Sequence, residues 1–176
     1  MESGPATDKN IRDLILILDQ DRELRSQMRK SLEQKLRDIE IIEAELGEEA
    51  WARIIAGGVT IAVVCHACRD VRSLDLLHRI NLHRLSTRMI VTSGPVHANE
   101  VVEHLKAGAA DFLERPFPPD RLVDSAGEIL QKVRTERIEI MGPQVSQTVT
   151  ELIGSAAPMR SIRDLIQQVA PTSSTI

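Results

Sequence analysis

The chain has 176 residues, of which 42% are hydrophobic and 27% charged, a composition ordinary for a soluble globular protein. One Trp, two Phe and no Tyr leave little ring surface for stacking single-stranded nucleic acid or a flat cofactor, and a net charge of -4 argues against nucleic-acid binding by this segment. No run reaches the roughly 20 apolar residues of a membrane span. The polar start Met-Glu-Ser-Gly-Pro lacks the basic-then-apolar pattern of a signal peptide, and two cysteines fit a reducing compartment. We therefore expect a cytoplasmic location.

Strand-like apolar runs alternate with helix-like stripes five times along the chain. Residues 14–18 form the first run, and Leu24, Met28 and Leu32 then recur at the four-residue spacing of a helix face. The later strands and helices are predicted, in chain order, at 38–42, 48–56, 60–65, 73–82, 88–92, 97–107, 110–113 and about 119–138. This alternation predicts an α/β fold with a five-stranded parallel sheet, doubly wound, whose active site lies beyond the carboxyl ends of the strands.

The last predicted helix carries an apolar stripe and then a charge-rich end. We expect this end to project from the domain, and an apolar stripe on a projecting helix needs a partner. The stripe is therefore predicted to be the seam of a homodimer, although several of its members must also cover the sheet. It consists of Leu122, Ala126, Ile129, Leu130 and Val133. Residues 1–10 are predicted to be a flexible tail, 11–135 the folded domain, and 136–150 a helical extension and linker.

Three segments resemble the bacterial response-regulator receiver domain. Residues 15–23 (Ile-Leu-Ile-Leu-Asp-Gln-Asp-Arg-Glu) are similar to the first strand and acidic turn of that family. Residues 106–117 (Lys-Ala-Gly-Ala-Ala-Asp-Phe-Leu-Glu-Arg-Pro-Phe) resemble its fifth-strand signature nearly residue for residue. Residues 74–80 match the helix after its phosphorylation loop. The resemblance covers about residues 11–135 and implies a flavodoxin/CheY-like fold.

The same resemblance identifies a degenerate phosphorylation pocket. Where the family holds Mg²⁺ with two adjacent acids, this chain has Asp19 followed by Gln20, whose amide adds no negative charge. Cys65 stands at the position of the phosphate-accepting aspartate, and a thiol cannot form an acyl phosphate. The resemblance therefore implies a pseudo-receiver, which keeps the scaffold and has lost the reaction.

Four more positions of the pocket follow from the resemblance. Thr92 or Ser93 falls at the family's hydroxyl position, and Phe112 lies where a signalling aromatic residue often moves. Arg115 replaces the family's lysine, which keeps the charge but changes its shape and donor pattern. We expect Arg115 to pair with Asp19.

Residues 151–176 look like the opening of the AAA+ ATPase domain of sigma-54-dependent enhancer-binding proteins, of the NtrC/FleQ-like kind, here truncated. The chain has no Gly-x-x-x-x-Gly-Lys loop, so we expect neither enzymatic activity nor a cofactor in it. ATP and Mg²⁺ are expected for the AAA+ domain of the full-length protein. The implied partners are a second copy and the AAA+ domain in cis. Sigma-54 RNA polymerase and enhancer DNA would be contacted through other domains, and no membrane is expected.

Cys65 and Cys68 leave several interpretations open. Their C-x-x-C spacing after a strand is a setting of redox dithiols, and a thiol switch would make the domain a live sensor. Zinc binding is a second interpretation, although His66 adds one ligand where a closed site needs four. The third is a buried small residue with another thiol nearby by chance. An atypically phosphorylated receiver is a further form of the sensor alternative.

The remaining polar candidates have structural interpretations. Asp19 and Asp21 are expected to act as turn and helix-capping residues. Asp70, five residues beyond Cys65, is poorly placed to replace the acceptor. His97 and His104 are expected on the surface of the fourth helix.

Overall fold

The structure is a computed structural model that describes residues 12–141, with side chains up to residue 139. Its strands are β1 Asp13–Leu18, β2 Ile39–Ala44, β3 Val59–Cys65, β4 Arg88–Ser93 and β5 Asp111–Glu114. Its helices are α1 Arg22–Lys35, α2 Gly47–Ile55, α3 Ser73–Leu82, α4 Ala98–Lys106 and α5 Pro119–Met141. The predicted tail at 1–10, most of the linker at 136–150 and the AAA+ segment at 151–176 lie outside the described residues.

The five strands form one parallel sheet in the order β2-β1-β3-β4-β5, which confirms the predicted fold class. The chain moves outward from β1 to β2 and then crosses to the other side of β1 to form β3. Parallel sheets of this kind bind ligands beyond the carboxyl ends of their strands where the direction of winding changes. The fold therefore places a crevice beyond the ends of β1 and β3.

Two apolar layers cover the sheet. Side chains alternate along β1, so that Ile15 and Ile17 face α1 and α5, whereas Leu16 and Leu18 face α2 and α3. β3 is buried along its whole length, which explains its unbroken apolar sequence. No helix within residues 12–141 combines the length and the apolar character needed to cross a membrane.

The apolar stripe of α5 lies in the core, so its predicted role as a dimer seam is wrong. None of its five residues is more than 8% exposed, and all five pack in the same cluster as Ile15 and Ile17 of β1. The stripe consists of Leu122, Ala126, Ile129, Leu130 and Val133. An amphipathic helix first buries its apolar face against its own domain, and these side chains are then unavailable to a second copy.

The charged end of α5 is also held against the domain, at least as far as residue 137. Arg134 Nε lies 2.7 Å from Oδ2 of Asp13, and Arg137 Nη1 lies 2.6 Å from its Oδ1. Asp13 is 1% exposed, and Thr60 also donates a hydrogen bond to it at 3.2 Å. The arginines are thus partners of a buried carboxylate at the amino ends of β1 and β3.

The core assignment of the α5 stripe predicts a large loss of stability on truncation. Leu122→Ala should lower the free energy of unfolding by about 2–5 kcal/mol, because it removes a side chain that is 1% exposed. Glu128→Ala, on the exposed side of the same helix, is the matched control and should change it by less than about 0.5 kcal/mol. Urea unfolding followed by circular dichroism measures both, and equal effects would contradict the core assignment.

Candidate functional site

The predicted pocket residues converge at the carboxyl edge of the sheet. Cys65 is the last residue of β3, and it pairs in register with Thr92 of β4. Leu18, the last residue of β1, pairs with Val64 of β3, so Asp19 follows at the same edge. Asp19, Cys65 and Thr92 are all less than 5% exposed. Three separate strands therefore bring a carboxylate, a thiol and a hydroxyl into one buried region.

Each carboxylate oxygen of Asp19 accepts a hydrogen bond from this chain. Its Oδ1 accepts a hydrogen bond from the backbone N–H of Asp21 at 2.9 Å, which forms the expected turn. Its Oδ2 accepts one from Arg115 Nη1 at 3.2 Å, which confirms the expected ion pair. Asp21 in turn caps α1 by accepting from the N–H groups of Glu23 and Leu24, as predicted.

The residues present do not fit the Mg²⁺ that the receiver family uses. A hard divalent cation prefers carboxylate oxygens, and the carboxylate available at this position, Asp19, is already paired with Arg115. Gln20 adds an amide whose Nε2, a donor, is buried without a hydrogen-bond partner among the described residues. Within residues 12–139 there is also no group of three or more His, Cys, Asp or Glu side chains that could hold a metal ion.

Of the residues at the hydroxyl and aromatic positions, Thr92 and Ser93 are buried and Phe112 is half-buried. Thr92 is fully buried, and its Oγ1 has no hydrogen-bond partner among the described residues. Ser93 is 3% exposed at the end of β4, and its backbone carbonyl accepts from the N–H of Arg115 at 2.7 Å. Phe112 is half-buried in β5, and it packs on the side of the sheet covered by α2 and α3.

The two thiols are in direct contact. Cys65 Sγ and Cys68 Sγ lie 2.8 Å apart, and the Cys68 thiol also lies 3.1 Å from the backbone carbonyl of Cys65. The hydrogen bond from Cys68 lowers the pKa of Cys65 below its usual value, assisted by Arg115 and opposed by burial and Asp19. The same contact, together with burial, raises the pKa of Cys68. Within the pair, Cys65 is therefore the more acidic thiol.

Asp70 binds the amino end of α2 from the loop at residues 66–72. Its carboxylate accepts hydrogen bonds from the backbone N–H groups of Gly47 at 2.8 Å and Glu48 at 2.9 Å. These bonds lower the pKa of Asp70. Gly47 permits the close approach, because a Cβ there would lie 2.8 Å from Cβ of Val71. Leu46, the residue before the helix, has no side-chain group that can accept these hydrogen bonds, so Asp70 caps the helix instead.

His104 is buried, so its predicted surface position is wrong, whereas His97 is exposed just before α4 as expected. The apolar residues of α4 do not mark its buried face. Val102 and Leu105 of α4 are each 46% exposed, whereas His104 is 2% exposed and is the buried residue of that helix. No local sequence signal identified His104, because this helix exposes apolar residues and buries a polar one.

His104 belongs to a hydrogen-bonded chain of three side chains, with Ser73 and His66. Its Nδ1 lies 2.7 Å from the backbone carbonyl of Glu100 and must donate to it, so its Nε2 accepts from the Ser73 hydroxyl at 2.9 Å. Ser73 Oγ then lies 3.3 Å from His66 Nδ1. Burial, then His104, lowers the pKa of His66, whereas Glu100 opposes the shift. The ring of Phe112 lies 5.5 Å from that of His104 between centroids. This cluster connects the loop after β3 with α4 and β5.

Solved structures of receiver domains share this fold. The receiver domain of the Francisella response regulator 1452 aligns with a TM-score of 0.64 and 21% identity over 69% of this chain and 99% of that chain. A CheY-like response regulator receiver domain protein from Methanospirillum hungatei JF-1 aligns with a TM-score of 0.65 and 24% identity over 71% of this chain and 98% of that chain. At these identities the alignments establish the fold alone.

Two sequence relatives are considerably longer than this chain. The nitrogen assimilation regulatory protein NtrX of Azorhizobium caulinodans is 31% identical over 103 residues, which cover 58% of this chain and 22% of NtrX. The C4-dicarboxylate transport transcriptional regulatory protein DctD of Rhizobium meliloti is 27% identical over 161 residues, 90% of this chain and 35% of DctD. The aligned part is therefore about a third or less of either relative.

The family model of the response regulator receiver domain matches residues 15–127, more than half of the chain, and the chain therefore belongs to the response regulator receiver domain family.

Proposed function

We propose that the chain is the N-terminal regulatory pseudo-receiver of a bacterial sigma-54-dependent transcriptional activator. The observation that carries this proposal is the thiol of Cys65 at the carboxyl end of β3, buried beside the Asp19–Arg115 ion pair. Relatives such as DctD are named as transcriptional regulatory proteins, which supports the cellular role. The resemblance of residues 151–176 to an AAA+ opening supports the sigma-54 part of the proposal.

Three parts of the phosphorylation chemistry are changed together. Acyl phosphate formation needs a carboxylate oxygen to attack phosphorus, and Cys65 offers sulfur instead. The negative charge of the phosphoryl group is normally neutralised by a bound cation, and Gln20 removes half of the acidic pair that would hold it. Arg115, in place of the lysine, is already bound to Asp19. In a pocket with these residues, the charge of Asp19 is neutralised by the chain's own Arg115.

Such a domain regulates through contacts with protein rather than through a reaction. We propose a homodimer and contacts with an AAA+ domain in cis, which would carry the ATP and Mg²⁺ chemistry of the full-length protein. Sigma-54 RNA polymerase and enhancer DNA would then be bound through further domains. The contact between copies has to use exposed side chains, since the apolar stripe of α5 is buried in its own domain.

A live sensor is the second candidate, and one observation favours its redox form. Cys65 and Cys68 are in contact, whereas an alternative phosphate acceptor lacks comparable support. Asp70, the acidic residue of the loop, already accepts two backbone hydrogen bonds from α2. The thiol pair is compatible with a pseudo-receiver, because oxidation does not require the lost phosphorylation chemistry.

The pseudo-receiver proposal predicts that a small phosphodonor leaves the protein unmodified. Incubation with acetyl phosphate and Mg²⁺ should give no phosphoryl adduct in the intact mass spectrum, because neither an acceptor carboxylate nor a cation site is present. Cys65→Asp alone should remain poorly phosphorylated, since Gln20 and Arg115 are unchanged. The triple variant Gln20→Asp, Cys65→Asp, Arg115→Lys restores all three groups and is the positive control. A phosphoryl group mapped to this pocket in the unaltered protein would contradict the proposal.

The proposed mode of action predicts self-association in solution. The protein at tens of micromolar should sediment with the mass of a dimer, and acetyl phosphate with Mg²⁺ should leave that mass unchanged. Analytical ultracentrifugation measures both quantities. A monomer at these concentrations would contradict the homodimer, and a phosphodonor-dependent mass would favour the live sensor.

A further inference from the structure

The geometry of the C-x-x-C pair favours bond formation between its sulfurs. Cys65 is fixed at the end of β3 by its pairing with Thr92, whereas Cys68 lies in the loop that joins β3 to α3. Their Sγ atoms are 2.8 Å apart, and a disulfide places them about 2.05 Å apart. The two sulfurs therefore have to approach by about 0.75 Å to bond.

The surroundings of Cys65 are those of a polar site as well as of a core position. The Asp19–Arg115 ion pair is close enough to act on the Cys65 thiol, because Asp19 raises the pKa of Cys65 and Arg115 lowers it. Gln20 Nε2 and Thr92 Oγ1 are both buried without hydrogen-bond partners among the described residues. Buried polar atoms are costly when unpaired, so this edge of the sheet carries polar groups that the described residues do not satisfy.

We propose that Cys65 and Cys68 are a peroxide-oxidised dithiol, which makes the former phosphorylation pocket a site of reversible disulfide formation. The Cys65 thiolate attacks one oxygen of a hydroperoxide, the O–O bond breaks, and the departing oxygen leaves as water or an alcohol after taking a proton. Cys68 then loses its proton and attacks the sulfur of the resulting sulfenic acid, and the hydroxyl group leaves as water after taking a proton. Two thiols lose two electrons, and one peroxide gains them.

The disulfide would act on a loop that contacts three other elements. Asp70, two residues after Cys68, holds the amino end of α2. His66, between the two cysteines, contacts Ser73 and, through it, His104 of α4. Bonding Cys68 to the end of β3 restrains the intervening residues and therefore the positions of these contacts. Oxidation is thus able to change the surface that the domain presents without any phosphoryl group.

Mass spectrometry with thiol alkylation tests the disulfide directly. The reduced 176-residue protein should take up two N-ethylmaleimide groups after denaturation, and none after treatment of the native protein with a small excess of hydrogen peroxide. Dithiothreitol should restore both sites, and peptide mapping should place the bond between Cys65 and Cys68 of one chain. If both thiols remain alkylatable, or if the bond forms only between chains, the proposal is overturned.

Two serine variants separate the roles of the two thiols. Cys68→Ser should accumulate a sulfenic acid on Cys65 that dimedone labels, whereas Cys65→Ser should leave Cys68 unoxidised. Oxidation of Cys68 in Cys65→Ser at the original rate would contradict the assigned site. Phosphorylation of the unaltered protein would contradict the pseudo-receiver but would leave these results intact.

Discussion

The character of the whole site depends on how the buried carboxylate of Asp19 is neutralised. An ion of this kind loses several kcal/mol of solvation when it is removed from water, and it needs a compensating partner. In the receiver family that partner includes a cation held by an acidic pair, whereas here it is the guanidinium of Arg115 at 3.2 Å. Because the compensation comes from within the chain, the neighbouring positions no longer need to attract Mg²⁺. Gln20 and Cys65 are compatible with the pocket for that reason.

The fold and the convergence of the pocket residues could be predicted from the sequence. Strands buried on both faces give unbroken apolar runs, such as that of β3, and the alternation with helices restricts the sheet to parallel topologies. In a parallel sheet all carboxyl ends meet at one edge, so residues that follow different strands come together. That rule alone brings Asp19, Cys65 and Thr92 into one region, although they are far apart in the chain.

The remaining features could not be predicted, because they depend on contacts that local patterns do not record. Periodicity shows that one face of α5 is apolar, but the same stripe suits a domain core and a dimer seam equally well, and Leu122 proved to be core. The burial of His104 depends on Ser73, 31 residues away along the chain. The capping of α2 by Asp70 joins residues separated by 23 positions. Polar contacts of this range appear only when the chain is folded.

These long-range contacts connect the loop after β3 with other parts of the domain. In this chain the loop after β3 is joined to α2 through Asp70 and to α4 through the contacts of His66 with Ser73 and His104. A change at the end of β3 would therefore reach these helices through hydrogen-bonded groups. A phosphoryl group is one way to bias such a loop, and a covalent bond at Cys68 is another, because each alters the same connected set of contacts. In the pseudo-receiver that we propose, the replacement of the acceptor carboxylate removes one input, and the contacts through which another input would reach the surface are kept.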